Sequence, residues 1–129
     1  MTRERLIELA RAARRHAYAP YSSHAVGAAI ASVDGQPGVT TGANVENASY
    51  GATVCAERVA LFAAVAAGHR DFSALAVVTP GTDPAPPCGL CLQALSEFCR
   101  DLRIYYTASE TDVVVETSLL DLLPTQFRL

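Results

Sequence analysis

Lysine and tryptophan are absent from this chain, and methionine occurs once. All ten basic residues are therefore arginines, set against thirteen acids for a formal net charge of −3. A protein that grips nucleic acid along its backbone carries a basic stripe. Here the local excess (Arg3, Arg5, Arg11, Arg14, Arg15) is interleaved with Glu4 and Glu8, the pattern of a solvated helix face with ion pairs. No nucleic-acid partner is expected. Long apolar runs are lacking too. The longest, Val59 to Ala67, has nine residues, where a membrane helix needs roughly 20. Met1 to Arg5 carries charge of both signs and does not read as a secretory signal. The expectation is a cytoplasmic protein with no membrane partner. Charged residues make up only 18% of the chain and hydrophobic ones 50%, which excludes intrinsic disorder. With 129 residues such a chain can bury one core without staples, and a single domain over 1–129 is expected.

Residues 4 to 17 are expected to be helical, with Leu6, Leu9, Ala10, Ala13 and Ala17 at helical spacing before Pro20. His24 to Val33 reads as a strand closed by Asp34-Gly35, and Val39 to Ala43 as its returning partner. A polar loop, Asn44 to Thr53, leads to a long Ala-rich helix from Cys55 to Ala67, with Gly68 as its stop. Phe72 to Thr79 reads as a buried strand, followed by a proline-rich loop and a second helix opening at Cys88. Leu102 to Thr107 and Asp112 to Glu116 supply two more strands, and Leu119 to Leu123 a short terminal helix. This order predicts an α/β fold: a three-layer α/β/α sandwich around a five-stranded mixed sheet.

Four cysteines remain, at 55, 88, 91 and 99. In a cytosolic chain, clustered thiols point to metal binding or redox chemistry before disulfides. Cys55 and Cys88 each stand at a predicted helix start, where the helix dipole favours the thiolate. Cys88 and Cys91 lie one turn apart on one face. Three ligands leave the fourth position of a tetrahedral zinc open for water, as in catalytic sites. Glu57, two residues after Cys55, can reach that water without being a ligand. A ligand-x-Glu triplet followed by Pro-Cys-x-x-Cys is the zinc deaminase signature, three-cysteine version included. A redox pair would leave Cys55 and Glu57 without a role. A closed four-cysteine site would need Cys99, about 16 Å from Cys88 along a helix at ~1.5 Å per residue, so Cys99 reads as a buried small hydrophobe. His16 and His69 read as surface or helix-end residues.

The chain as a whole resembles the small homotetrameric cytidine deaminases of nucleoside salvage. Ala19-Pro20-Tyr21-Ser22, Val26-Gly27-Ala28-Ala29, Asn44-Val45-Glu46-Asn47, Cys55-Ala56-Glu57-Arg58, Pro87-Cys88-Gly89-Leu90-Cys91, Glu97-Phe98 and Leu122-Leu123-Pro124 followed by Phe127 all lie in that family's order. The resemblance implies hydrolytic deamination of cytidine and 2′-deoxycytidine to the uridine nucleosides plus ammonia, with one Zn2+ per chain on Cys55, Cys88 and Cys91. It implies Glu57 as the catalytic proton carrier and Asn44 and Glu46 as partners of the ribose hydroxyls. His24 stands where the family commonly has an aromatic ring beside the pyrimidine, with the Ala56 backbone and Phe127 finishing that pocket. Arg58 is expected beside the ligand sulfurs, offsetting the charge of three thiolates. Leu92 replaces an arginine common in the family. The resemblance further implies a homotetramer with shared active sites, to which Tyr50 and Phe127 contribute. Rival readings are a blasticidin-type or other base or nucleoside deaminase, a deaminase of RNA or single-stranded DNA, and a zinc-stabilised binding module without turnover.

Overall fold

A computed structural model describes residues 1–129. The first helix, α1 (Arg3–Ala13), is opened by the Thr2 hydroxyl, which accepts the Arg5 N–H. It buries Leu6, Ile7, Ala10 and Ala13. It stops short of the expected residue 17, because Arg14–His16 tighten into a 3-10 turn and Ala17 turns extended. The backbone of Tyr18 is then taken by Asn44 and Glu46 (N···O 2.9 Å each), so the helix cannot continue.

Five strands follow: β1 (Gly27–Ser32), β2 (Gly38–Ala43), β3 (Phe72–Thr79), β4 (Arg103–Ala108) and β5 (Val115–Ser118). They form one sheet in the order β2-β1-β3-β4-β5. Only β3 and β4 run parallel; the other pairs are antiparallel. The sheet is mixed and five-stranded, as the pattern predicts. A parallel pair needs a crossover, and α3 (Gly89–Phe98) supplies it; α2 (Ala56–Ala66) links β2 to β3, and a single turn, α4 (Leu119–Leu122), follows β5.

Side chains alternate across the sheet. Ala28, Ile30, Leu75, Val77 and Ile104 pack in the larger cluster with Leu61 of α2 and Leu95 of α3. Ala29, Ala31, Ala76 and Val78 pack with Leu6, Ile7 and Ala10 of α1. The result is α1 on one face and α2 with α3 on the other, the expected three layers. Two glycines let the helices approach. A Cβ on Gly27 would lie 2.0 Å from the Ala10 carbonyl oxygen of α1, and one on Gly42 would lie 2.5 Å from the Ala60 nitrogen of α2.

Other boundaries also differ from expectation. β1 begins at Gly27 instead of His24, because the Val26 N–H and the His24 carbonyl bond the Asn44 side chain instead of a neighbouring strand. The last strand starts at Val115 instead of Asp112, the Val113 carbonyl being taken by the Thr107 hydroxyl. α3 ends at Phe98, leaving Cys99 extended (φ −132°) and buried.

Candidate active site

Three chain segments converge at one edge of the fold. Val45 bridges Tyr18 in parallel and Val54 antiparallel, which ties the Asn44–Asn47 run to the residues just before α2. Cys55 caps α2 and Cys88 caps α3, both in extended backbone and neither with a side-chain capping bond. Their sulfurs are therefore free to turn toward each other, while the unpaired N–H groups of both helix starts give the region positive potential.

The sulfurs of Cys55 and Cys88 lie 3.8 Å apart, and those of Cys88 and Cys91 3.6 Å apart. All three fall within 4.8 Å of one another. A disulfide would need about 2.05 Å, and the cysteines are free thiols. Zinc–sulfur bonds of about 2.3 Å at tetrahedral angles require sulfurs about 3.8 Å apart. The donor set thus fits one tetrahedral zinc with a corner left over. Cys99 stands outside this group. Burial raises its thiol pKa to about 11.

A hydrogen bond from Cys91, with further help from Arg58 and Cys88, lowers the Cys55 thiol to about 5. The same bond pushes the Cys91 thiol far up. The Arg58 guanidinium reaches the Cys55 sulfur at 3.6 Å, and its Nε is buried without a partner. Burial raises the Glu57 carboxyl to about 7, with the Cys55 thiolate adding to the effect. Glu57 is 6% exposed, in the first turn of α2, and is not part of the three-sulfur group.

Glu57, Cys55 and Cys88 face a cleft of about 170 Å³, with Ala56, Asn44 and His24 on its wall. Asn44 is 8% exposed. Its Oδ1 accepts the Val26 N–H at 2.9 Å and its Nδ2 donates to the His24 carbonyl at 2.8 Å. One amide N–H is left for a ligand. Glu46 lines an adjoining cleft with Tyr21, Ser22, Asn47, Tyr50 and Thr53. Its carboxylate accepts the N–H groups of Tyr21 and Ser22 and the Ser22 hydroxyl. The Ser22 bond leads the interactions that lower its pKa. Tyr50 is 87% exposed. Phe127, 68% exposed, lines neither cleft, and its carbonyl accepts from Gln93.

Sequence reasoning missed Val77 and Thr79, which floor the main cleft, and Ala85 and Pro86, which rim it. Thr79 closes the carboxyl end of β3, beside the parallel strand β4. That is where α/β sheets commonly bind ligands, and it was the available signal. Leu92, 7% exposed, is a core leucine.

Comparison with known proteins agrees with this geometry. Residues 1–108 match the family model for the cytidine and deoxycytidylate deaminase zinc-binding region. The chain is 48% identical to a cytidine deaminase of Halalkalibacterium halodurans, covering 98% of this chain and 95% of that one. It is 45% identical to a cytidine deaminase of Sporosarcina psychrophila over 96% and 90%. Among solved structures, it resembles cytidine deaminase from Burkholderia pseudomallei with a TM-score of 0.91 at 50% identity, covering 98% of this chain and all (100%) of that one.

Proposed function

Because the chain belongs to the zinc-dependent cytidine deaminase family, we propose that it hydrolyses cytidine and 2′-deoxycytidine to uridine or 2′-deoxyuridine and ammonia, consuming one water. The observation that carries this is a buried Glu57, outside the group of three clustered sulfurs, that faces one cleft together with Cys55 and Cys88.

Cys55, Cys88 and Cys91 would hold one zinc per chain. The chemistry that ion supplies is a hydroxide nucleophile at neutral pH, the pKa of water falling from ~15.7 toward ~7 in well-tuned sites. Glu57 takes the proton released by the water and gives it to pyrimidine N3, making C4 electrophilic. It then carries the proton of the hydroxyl added at C4 to the departing amine, which leaves as ammonia as the C4 carbonyl forms. A carboxyl that moves protons in both directions works best with a pKa near the working pH. Arg58, at 3.6 Å from the Cys55 sulfur, supplies positive charge that offsets the thiolates. His24 and the Ala56 backbone flank the pyrimidine, and the spare Asn44 N–H and the remaining lone pair of Glu46 meet the ribose hydroxyls.

We further read the enzyme as a cytoplasmic homotetramer of one-domain chains working in nucleoside salvage, in which Tyr50 and Phe127 reach the site of a neighbouring copy. Their exposure supports this, as does the outer face of α2, where Val59, Phe62, Ala63 and Ala66 carry no charge. Four free thiols fit a reducing compartment.

An ultraviolet assay with cytidine, deoxycytidine, cytosine and adenosine tests the activity directly. Turnover confined to the two cytosine nucleosides, with equimolar ammonia, is the expected result. Turnover of cytosine or adenosine alone, or of none, refutes the assignment. Light scattering should report about four chains; a fully active monomer refutes the shared site.

A further inference from the structure

The turn from Tyr21 to Val26 is anchored at both ends by two side chains of the Asn44–Asn47 run, with the Ser23 N–H bonded to the Ala19 carbonyl and the Ala25 carbonyl to Arg14 between them. Glu46 collects the Tyr21 N–H (3.0 Å), the Ser22 N–H (3.2 Å) and the Ser22 hydroxyl. Asn44 collects the Val26 N–H and the His24 carbonyl. Between these anchors lies Ser23, whose φ of 60° is the one positive value outside glycine. A side-chain-bearing residue adopts that backbone only when its surroundings hold it there. Ser22 joins the two halves of the turn. Its hydroxyl donates to Glu46 and accepts the His24 N–H at 3.0 Å. His24 in turn forms the wall of the cleft that contains Glu57, whereas Glu46 and Ser22 line the adjoining one.

We infer that Ser22 is a positioning residue that couples Glu46 to His24, so that the carboxylate of one cleft fixes where the imidazole stands in the other. The inference rests on the deaminase reading for its kinetic consequence, but its geometric content does not. The orientation of Glu46 is spent on the turn as well as on any ligand. A nucleoside that engages Glu46 therefore also tightens the wall against its own base. Removing the Ser22 hydroxyl cuts the relay at its middle, leaving Glu46 its two backbone donors and His24 its carbonyl bond to Asn44. Because Ser22 is exposed and outside both core clusters, the substitution spares the fold.

The test is a double-mutant cycle on zinc-loaded protein with Ser22→Ala, His24→Ala and both together, and Ser22→Thr as the conservative variant. A lost hydrogen bond of this kind corresponds to about a fivefold to tenfold change in binding. Ser22→Ala should raise KM for cytidine and the calorimetric Kd for uridine by that factor, with kcat held within about twofold. The double variant should be no worse than His24→Ala alone, and Ser22→Thr should recover wild-type binding. Effects that multiply in the double variant would show Ser22 acting without His24 and overturn the inference. A second readout is independent of turnover. The chain has three histidines, so long-range nitrogen–proton NMR resolves each ring. Ser22→Ala should move the His24 signals and leave those of His16 and His69 in place. An unmoved His24 ring overturns the coupling whatever the substrate. A moved ring in a protein that neither converts cytidine nor binds uridine would sustain the coupling and refute the deaminase reading.

Discussion

Gly42 is the position where one added methyl group should reach the chemistry. A Cβ there would stand 2.5 Å from the Ala60 nitrogen, 2.7 Å from the Ala56 carbonyl oxygen and 3.0 Å from the Ala60 Cα. All three atoms are helix backbone, so no side chain can swing away. Ordinary contact begins near 3.4 Å, which asks α2 to retreat by roughly 0.9 Å from β2. Overpacking of this kind costs about 1–3 kcal/mol of stability. The retreat falls on the turn of α2 that carries Glu57 and Arg58 and follows Cys55. It would open the 3.8 Å spacing between the Cys55 and Cys88 sulfurs beyond the tetrahedral edge. A displacement near 1 Å can cost about 100-fold in rate. Gly42→Ala should therefore lose about 1–3 kcal/mol in urea unfolding, bind zinc more weakly in a chelator competition, and lose kcat/KM by about two orders of magnitude. Gly27→Ala is the control. Its Cβ would meet the Ala10 carbonyl of α1 at 2.0 Å, a harsher clash against a helix that carries no site residue. It should unfold more easily yet keep kcat/KM within severalfold while folded. Wild-type zinc affinity and rate in Gly42→Ala, or equal loss of rate in both variants, would refute the reasoning.

Glu57→Gln should keep fold and zinc and lose kcat by about 100-fold or more; a variant retaining a tenth of the rate would end the proton-carrier role. Cys55→Ala, Cys88→Ala and Cys91→Ala should each lose metal by elemental analysis, whereas Cys99→Ala should keep both metal and activity. The Cys99 thiol titrates near 11 in the fold against 9.0 for an ordinary thiol. As pH rises from 9 toward 11, the unfolded chain releases that proton first, so this contribution to stability is lost across that window. Unfolding curves across that range should be flatter for Cys99→Ala than for wild type, and identical slopes would refute the assignment. Asn44→Ala should lower stability by about 1–3 kcal/mol, because it orphans the Val26 N–H and the His24 carbonyl, and weaken nucleoside binding; unchanged melting would show that water replaces the amide.

Much of this architecture was legible because period and punctuation agreed. The apolar runs of β1 and β3, rich in Ala, Val, Ile and Leu, the Asp34-Gly35 turn and the helix starts at Cys55 and Cys88 each follow from local chemistry. So does the meeting of Cys88 with Cys91, since both belong to one helix end. What could not be read was long-range and polar. Nothing in the spacing of Ser22 and Glu46 reveals that a hydroxyl and a carboxylate 24 residues apart are hydrogen-bonded, or that Asn44 spends its amide on the backbone of residues 24 and 26. The late start of β1 and the early end of α1 have the same origin, a side chain or a distant segment outcompeting the local ladder. The two close-packed glycines were equally silent, because the need for a missing Cβ depends on a helix that arrives from elsewhere in the chain.

The three sulfurs also have a consequence for the chain as a polymer. Cys55 and Cys88 are 33 residues apart, and the stretch between them holds the whole of α2, β3 and the proline-rich loop. An ion joining them closes a ring around a central strand. By the cross-link relation for a loop of that length, such a closure removes entropy worth about 3.7 kcal/mol from the unfolded ensemble. Stripping the metal should therefore loosen the molecule unevenly. Amide exchange should accelerate in α2, the 80–88 loop and the first turn of α3, which the ring encloses or anchors. The β1–β2 hairpin lies outside the ring, and its six paired positions should keep their protection.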